Sequence, residues 1–200
     1  MKTAFCFDLD GTVTREEILP ALSRHIGLYD EIEALTQATI NGFIPFNSSF
    51  KLRVRLLSEI PISTVRDIIA KVLLYRKTSE FIQAHKDQCF LITGNLDCWI
   101  QGLVDKLGLR AYTSISKREG DKLLGIEKIL NKGDAVDEIR AMGFDKIVAV
   151  GDGMGDVPMF ERADVGIAYS GVHSPVRTLK ELSNYIVFNE EALCRTLNTL

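Results

Sequence analysis

Proline is scarce in this chain, five residues in 200, and no uninterrupted apolar stretch approaches the ~18 residues that suggest a membrane-spanning helix. Set beside 46% apolar and 26% charged residues, these shortages exclude intrinsic disorder, fibrous structure and a helical membrane span. Positive charge is also limited. The 24 Lys and Arg face 27 Asp and Glu, and a net charge of −3 builds no field that would collect nucleic acid or an anionic membrane. Any polyanionic partner must therefore be small. Cysteine is confined to Cys6, Cys89, Cys98 and Cys194, whose spacing matches neither a zinc site nor a redox pair; three of them sit in apolar runs as small core residues. Residues 1–7 are too short for a signal peptide before Asp8 interrupts them, so a reducing cytoplasm is the expected address.

A chain of this length can bury one sizeable core and carry a small insertion. Short β-prone apolar runs that end in polar or Gly-rich turns recur at residues 4–7, 89–92, 111–115, 146–150, 165–168 and 185–188. Helical patterns separate most of them, with Trp99, Leu103 and Leu107 in one and Val136, Ile139 and Met142 in another. Alternation of this kind predicts an α/β fold, a doubly wound parallel sheet with helices on both faces. Residues 18–81 break the alternation with about four helical patterns and no convincing strand, which predicts a small helical cap inserted after the first strand. The expected division is a core of residues 1–14 and 78–200 and a cap of 15–77. Hinges are expected after Thr14 and at Tyr75, Arg76, Lys77 and Thr78, where Thr78 could also cap the next helix.

Two acidic pairs carry the chemistry. Asp8-Leu9-Asp10-Gly11-Thr12 directly follows the first strand, and alternation along an extended chain would send both carboxylates the same way; a turn capped by Asp and Thr is the plainer alternative. Gly151-Asp152-Gly153-Met154-Gly155-Asp156 follows the strand at 146–150 and precedes a helix that Pro158 can open. Ligands of open α/β sheets bind beyond the C-terminal strand ends, where strand order reverses, so the two pairs should converge there. Four crowded carboxylates are tolerable around a divalent cation, and a ligand set without His or Cys favours magnesium over zinc. The three glycines also imitate a dinucleotide-binding loop, but Asp156 stands where that loop needs Gly or Ala, and Asp152 puts negative charge where a pyrophosphate should rest.

Thr93-Gly94-Asn95 ends one strand and is expected to begin a helix, either cradling an anion or simply N-capping through Asn95. Lys132 follows the potential cap Asn131, so it places a cation at the positive end of a helix dipole. It either reaches into the acidic edge or is balanced in solvent by Asp134, with Lys128 and Lys122 as substitutes if the helix starts elsewhere. His25, His85 and His173 are scattered, and Ser170, Ser174 and Ser183 lie in no nucleophile-elbow context, which argues against a serine-hydrolase triad.

These motifs, Asp8 to Thr12, Thr93, Lys132, and Gly151-Asp152 with Asp156, resemble in order and spacing the haloacid dehalogenase-like superfamily of phosphohydrolases, and the likeness spans nearly the whole chain. The resemblance implies a Rossmann-like core, Asp8 as nucleophile, Asp10 as general acid/base, and Thr93, Gly94, Asn95 and Lys132 around a phosphate. It further implies Mg2+ held by Asp8, the Asp10 carbonyl and Asp152, with Asp156 supporting them.

A helical insertion at this point is similar to that of phosphoserine phosphatases. By that likeness Glu17 would meet the substrate amine, Arg53 its carboxylate, and Phe46 would line the same pocket. On a helical wheel Phe46, Phe50, Arg53 and Leu57 share one side, while Arg55 points away; Arg53 on an apolar stripe is costly unless it meets an anion. A snorkelling Arg53, or one paired with a structural acid, is the alternative. Gly11, Asn95 and Gly155 depart from the residues common in such enzymes at those places, and they change the surroundings of phosphate and leaving group. The expectation is a magnesium-dependent phosphomonoesterase acting on a small phosphoester, phosphoserine first and phosphoethanolamine as an alternative. A phosphotransferase using the same aspartyl-phosphate and a receiver-like phospho-Asp module are the other readings. The sequence leaves oligomeric state undetermined.

Overall fold

The computed structural model describes residues 2–200; Met1, the first residue of the expected core, lies outside the described residues. The first strand, β1 (Thr3–Phe7), leads into helices α1 (Ile18–Ser23), α2 (Tyr29–Ile40), α3 (Phe46–Leu57), α4 (Ile62–Ile69) and α5 (Arg76–Ala84). There follow β2 (Cys89–Leu96), α6 (Asp97–Leu107), β3 (Arg110–Glu119), β4 (Lys122–Lys128), α7 (Lys132–Ala141) and β5 (Lys146–Gly151). The chain ends with α8 (Val157–Phe160), β6 (Val165–Tyr169), α9 (Arg177–Leu182), β7 (Tyr185–Val187) and α10 (Glu190–Leu197). The strands form one sheet in the order β4-β3-β2-β1-β5-β6-β7, parallel except for the β3–β4 pair.

Every residue of β1 is buried, because both sheet faces are covered. Phe5 and Phe7 join Val148, Val150 and the fully buried Trp99 on one face. Ala4 and Cys6 join Ile147, Ala149, Val136 and Ile139 on the other. The doubly wound parallel architecture follows, and strand order reverses between β1 and β5, where Phe7 lies opposite Val150. Asp8 N donates to Val150 O at 2.9 Å, so the two acidic loops leave the sheet side by side.

The structure departs from the sequence reading in three places. β3 is longer than expected and turns at Gly120 into an antiparallel strand, so Lys122 and Lys128 lie on β4 rather than at a helix start. The segment escapes a hydrophobic pattern because it is charged and mostly exposed, and the hairpin earns its place through α4: Asp121 accepts from Ser63 N at 2.7 Å and from Ser63 Oγ at 2.6 Å. Helix α6 starts at Asp97 rather than at Asn95, since the chain stays extended through an irregular register between Ile92 and Leu96. Thr78 lies inside α5, whose N-cap position is Tyr75 and carries no side-chain cap.

Helices α1–α4 occupy the interval between β1 and β2, and the chain enters and leaves them at adjacent points. Thr14 and Leu74 form an isolated antiparallel bridge, flanked by Arg15 N donating to Leu73 O at 2.8 Å and Tyr75 N to Val13 O at 3.0 Å.

Two glycines of the core test this packing with opposite signs. Gly102 lies exposed within α6 with nothing inside 4 Å of an added Cβ, whereas a Cβ at Gly166 on β6 would meet the Phe160 ring at 2.7 Å. Urea denaturation should show Gly102→Ala stabilised by about 0.5–1 kcal/mol and Gly166→Ala destabilised by about 1–3 kcal/mol.

Candidate active site

β1 stops at Phe7, and the chain curls at once, with Thr12, Val13 and Thr14 N–H groups all donating to Leu9 O. Asp8 and Asp10 therefore reach the same cavity through a turn, not through the alternation of an extended strand. Gly11 makes that turn possible with a φ of 69°, a left-handed conformation that L side chains seldom adopt. At the end of β5, a Cβ at Gly151 would fall 2.5 Å from Asp156 Cγ, so this glycine lets the Asp156 carboxylate fold back over the strand end. Asp152 N and Gly153 N both donate to Asp156 Oδ2 at 3.0 Å. Those N–H groups serve the carboxylate rather than a pyrophosphate, which removes the dinucleotide-loop alternative.

Carboxylate oxygens of Asp8, Asp152 and Asp156 lie within 4.8 Å of one another, and all three residues are buried. Lys132 is their counter-charge: its Nζ donates to Asp8 Oδ1 and, at 2.6 Å, to Asp156 Oδ1. It stands at the start of α7, where the Asn131 side chain accepts from Gly133 N at 2.9 Å, so the expected cap is present. Asp134 pairs instead with Arg162 at 3.0 Å, and the solvated alternative for Lys132 is overturned. Burial works against the Lys132 charge, but Asp156 and Asp8 more than compensate and push its pKa up.

One cation is too little for this cluster. Burial, with Asp156 beside it, raises Asp8 to about 7 despite Lys132. Asp152 is pushed well above the carboxylate range by burial and by Glu17, Asp156 and Asp8. Asp152 Oδ2 is buried with no hydrogen-bond partner among the described residues, the state expected of a ligand atom awaiting a cation. The donor set fits a hard divalent ion: Asp8 and Asp152 have oxygens to give, while both oxygens of Asp156 are held by neighbouring groups.

Asp10 lies a short way off. Its Oδ1 accepts from Ile18 N at 2.9 Å and its Oδ2 from Asn95 Nδ2 at 2.5 Å. Burial, Glu17 and Asp8 hold this carboxyl well above its usual range, so it is suited to carrying a proton. Asn95 therefore reaches Asp10 and caps no helix; the backbone N–H of Asn95 donates to Thr93 Oγ1 at 3.2 Å. Thr93, Gly94 and Asn95 all line the cavity beside Lys132, and Ser114 Oγ holds Gly94 O at 2.7 Å.

The cavity encloses about 380 Å³ between the strand ends and the helical insertion. Phe46 and Arg53 reach it from α3, as the helical wheel suggests, and Glu17 reaches it from the residue before α1. Phe46 stacks on Phe50 with ring centroids 5.2 Å apart, and Arg55 is exposed. Arg53 is 4% exposed; its NH1 donates to Thr36 Oγ1 at 2.8 Å, its Nε has no partner, and no carboxylate pairs with it among the described residues. Neither snorkelling nor a structural ion pair describes it. Sequence reasoning missed Thr36 and also His173, which stands 3.3 Å from Glu17. The signal for His173 was its place in the loop beyond the C-terminal end of β6, on the same edge as the other motifs.

The sequence profile of the haloacid dehalogenase-like hydrolase family matches residues 5–161. A phosphoserine phosphatase of Archaeoglobus fulgidus is 31% identical over 181 residues, covering 84% of this chain and 53% of that protein. One from Methanocaldococcus jannaschii is 27% identical, over 92% of this chain and 98% of its own length. Among solved structures, a substrate-bound phosphoserine phosphatase superposes with a TM-score of 0.82 at 26% identity, covering 93% of this chain and 92% of the other. A phospho-aspartyl intermediate analogue of phosphoserine phosphatase gives the same TM-score at 27% identity and the same coverage.

The charge balance has a measurable consequence for the metal-free protein. With Asp8 raised to about 7, the native state binds more protons than the unfolded state between the ordinary Asp range and that value, so the Asp8 contribution to stability falls as pH rises through this window. Asp8→Asn should accordingly raise the melting temperature of metal-free protein at pH 8, with the gain shrinking toward pH 4. Lys132→Ala should cost about 3–5 kcal/mol, the range for breaking a buried ion pair. Calorimetry across pH on the three proteins reads both effects, and an Asp8→Asn gain independent of pH would contradict the assignment.

Proposed function

The chain belongs to the haloacid dehalogenase-like hydrolases and is a phosphatase, and from that premise we propose that it hydrolyses phosphoserine with magnesium through an aspartyl-phosphate on Asp8. The observation that carries the substrate is Arg53, a buried guanidinium on the wall of the same cavity as Asp8 that forms no ion pair among the described residues. A buried, unpaired cation is costly unless a ligand brings the anion. A substrate carboxylate would take the fork of Arg53, and its ammonium would face Glu17, which lines the same cavity. Phosphate would rest against Thr93, Gly94, Asn95 and Lys132, with Phe46 covering the carbon chain between the two ends. Residues 15–77 would act as a cap over residues 1–14 and 78–200, hinged where Thr14 and Leu74 bridge.

The all-oxygen cluster supports magnesium as the ion, held by Asp8, the Asp10 carbonyl and Asp152, with Asp156 fixing Lys132 and the loop. Bound there, it would supply the positive charge that lets an anionic carboxylate approach a phosphoryl group. An Asp8 oxygen attacks phosphorus, the ester P–O bond breaks, and Asp10 gives its proton to the departing serine oxygen. Water then attacks the same phosphorus, its proton passes to Asp10, and the bond to Asp8 breaks to release phosphate. Lys132 stays with the phosphoryl oxygens throughout, while Ile18 N and Asn95 Nδ2 hold Asp10 in place for both proton transfers.

Core and insertion can be tested separately. Asp8→Asn, or removal of divalent cations by chelation, should lower turnover by several powers of ten. Arg53→Ala should lose ~2–4 kcal/mol in kcat/KM for phosphoserine and little for phosphoethanolamine, which lacks the carboxylate. Equal losses on the two substrates would move Arg53 to cap closure or phosphate contact and remove the amino-acid assignment.

A further inference from the structure

A loop of the core, residues 170–176, joins β6 to α9 beyond the C-terminal end of the sheet. It is pressed against the first acidic turn: a Cβ at Gly171 would fall 2.6 Å from Gly11 O and 2.6 Å from the Tyr169 ring, so no larger residue could lie there without lifting the loop. Further bonds fix its course. Ser170 N donates to Val187 O at 2.8 Å, Ser170 Oγ to His173 O at 3.2 Å, and Val176 N to Asp152 O at 3.2 Å. This course carries the His173 ring across to the helical insertion. Its Nε2 stands 3.3 Å from Glu17 Oε1, and its Nδ1 lies 3.4 Å from Gln37 Nε2, which also donates to Glu33 Oε1 at 2.8 Å.

Glu17 needs such a neighbour. Its side chain is 12% exposed, it faces the same cavity as Asp8, Asp10 and Asp152, and among the described residues His173 is the only basic side chain within ion-pair distance. Left alone among these acids, Glu17 would be repelled toward water, and that change would spoil an acceptor for an ammonium group. His173 Nε2 lies at ion-pair distance from Oε1 without meeting it in hydrogen-bond geometry, and among the described residues no hydrogen bond engages the second oxygen. We propose that His173 is a positioning residue that holds the Glu17 side chain in the cavity, and that it thereby sets preference for substrates bearing an amine beside the phosphoester. This rests on the assignment of Glu17 to the substrate amine. It assigns His173 no contact with the reacting atoms.

The test compares phosphoserine with 3-phosphonooxypropanoate, which keeps the carboxylate and the phosphate and has hydrogen in place of the amine. His173→Ala should raise KM for phosphoserine about tenfold, as expected when a partly buried ion-pair contact that positions Glu17 is lost, with kcat within about twofold. KM for 3-phosphonooxypropanoate should stay within about twofold. His173→Gln, whose amide nitrogen can stand near the position of Nε2, should restore KM for phosphoserine to within about threefold of wild type. Glu17→Gln separates this proposal from the reading beneath it. If Glu17→Gln weakens phosphoserine selectively but His173→Ala weakens both substrates equally or neither, the positioning role falls and the amine assignment stands. If Glu17→Gln treats the two substrates alike, the amine assignment falls and takes the role of His173 with it.

Discussion

Lys132 bound at once to Asp8 and Asp156 is the interaction on which the rest of the site depends. Two acidic loops leave neighbouring strands at the reversal of the sheet, and parallel pairing of β1 with β5 brings their carboxylates together whether or not the charges favour it. Strand geometry is thus paid for in electrostatic repulsion. A lysine at the first position of α7 offsets part of this, and it accepts an unfavourable place in the helix dipole to do so. What remains uncompensated is visible in the raised Asp8, in the raised Asp152 and in the unpartnered Asp152 Oδ2. The same imbalance that destabilises the empty cluster makes it receptive to a cation and to a phosphoryl group drawn in by it.

A second division of charge separates the core from the insertion. The core holds the groups suited to phosphorus, while Glu17 and Arg53 approach from the helices between β1 and β2. Asp10 joins the two, since its carboxylate accepts from Ile18 N at the start of α1 and from Asn95 at the end of β2. A shift of α1 relative to the core would therefore disturb the carboxyl proposed to handle the proton as well as the lining of the cavity. In the proposed mechanism, coupling of this kind would tie substrate fit to proton transfer without any direct contact between Arg53 and the reacting atoms.

Much of this was legible in the sequence because it depends on local pattern. The buried strands announced themselves as apolar runs, the acidic pairs as strand-end motifs, Lys132 by the misfit between its charge and its helix position, and Arg53 by its place on the apolar side of α3. What escaped depends on contacts distant in the chain. The β3–β4 hairpin is polar, and its reason for existing is Asp121 bonding to Ser63 across 58 positions. Asn95 looked like a helix cap because only the fold shows that β2 runs on to Leu96 and that Asp10 is there to receive its amide. His173 carried no local signal of charge or period; its meaning comes from Glu17, brought to it by a loop pressed against Gly11. Even the correct convergence of Asp8 and Asp10 came from a turn where alternation had been assumed.

The central claim is that a carboxylate of this buried cluster becomes phosphorylated during turnover, and rapid acid quenching of enzyme with phosphoserine and magnesium, followed by peptide mass spectrometry, tests it most directly. The account predicts a phosphoryl group on Asp8 alone, stable in acid and removed by hydroxylamine. Turnover with Asp8 unmodified at every quench time, or a phosphoryl group found on another residue, would contradict it.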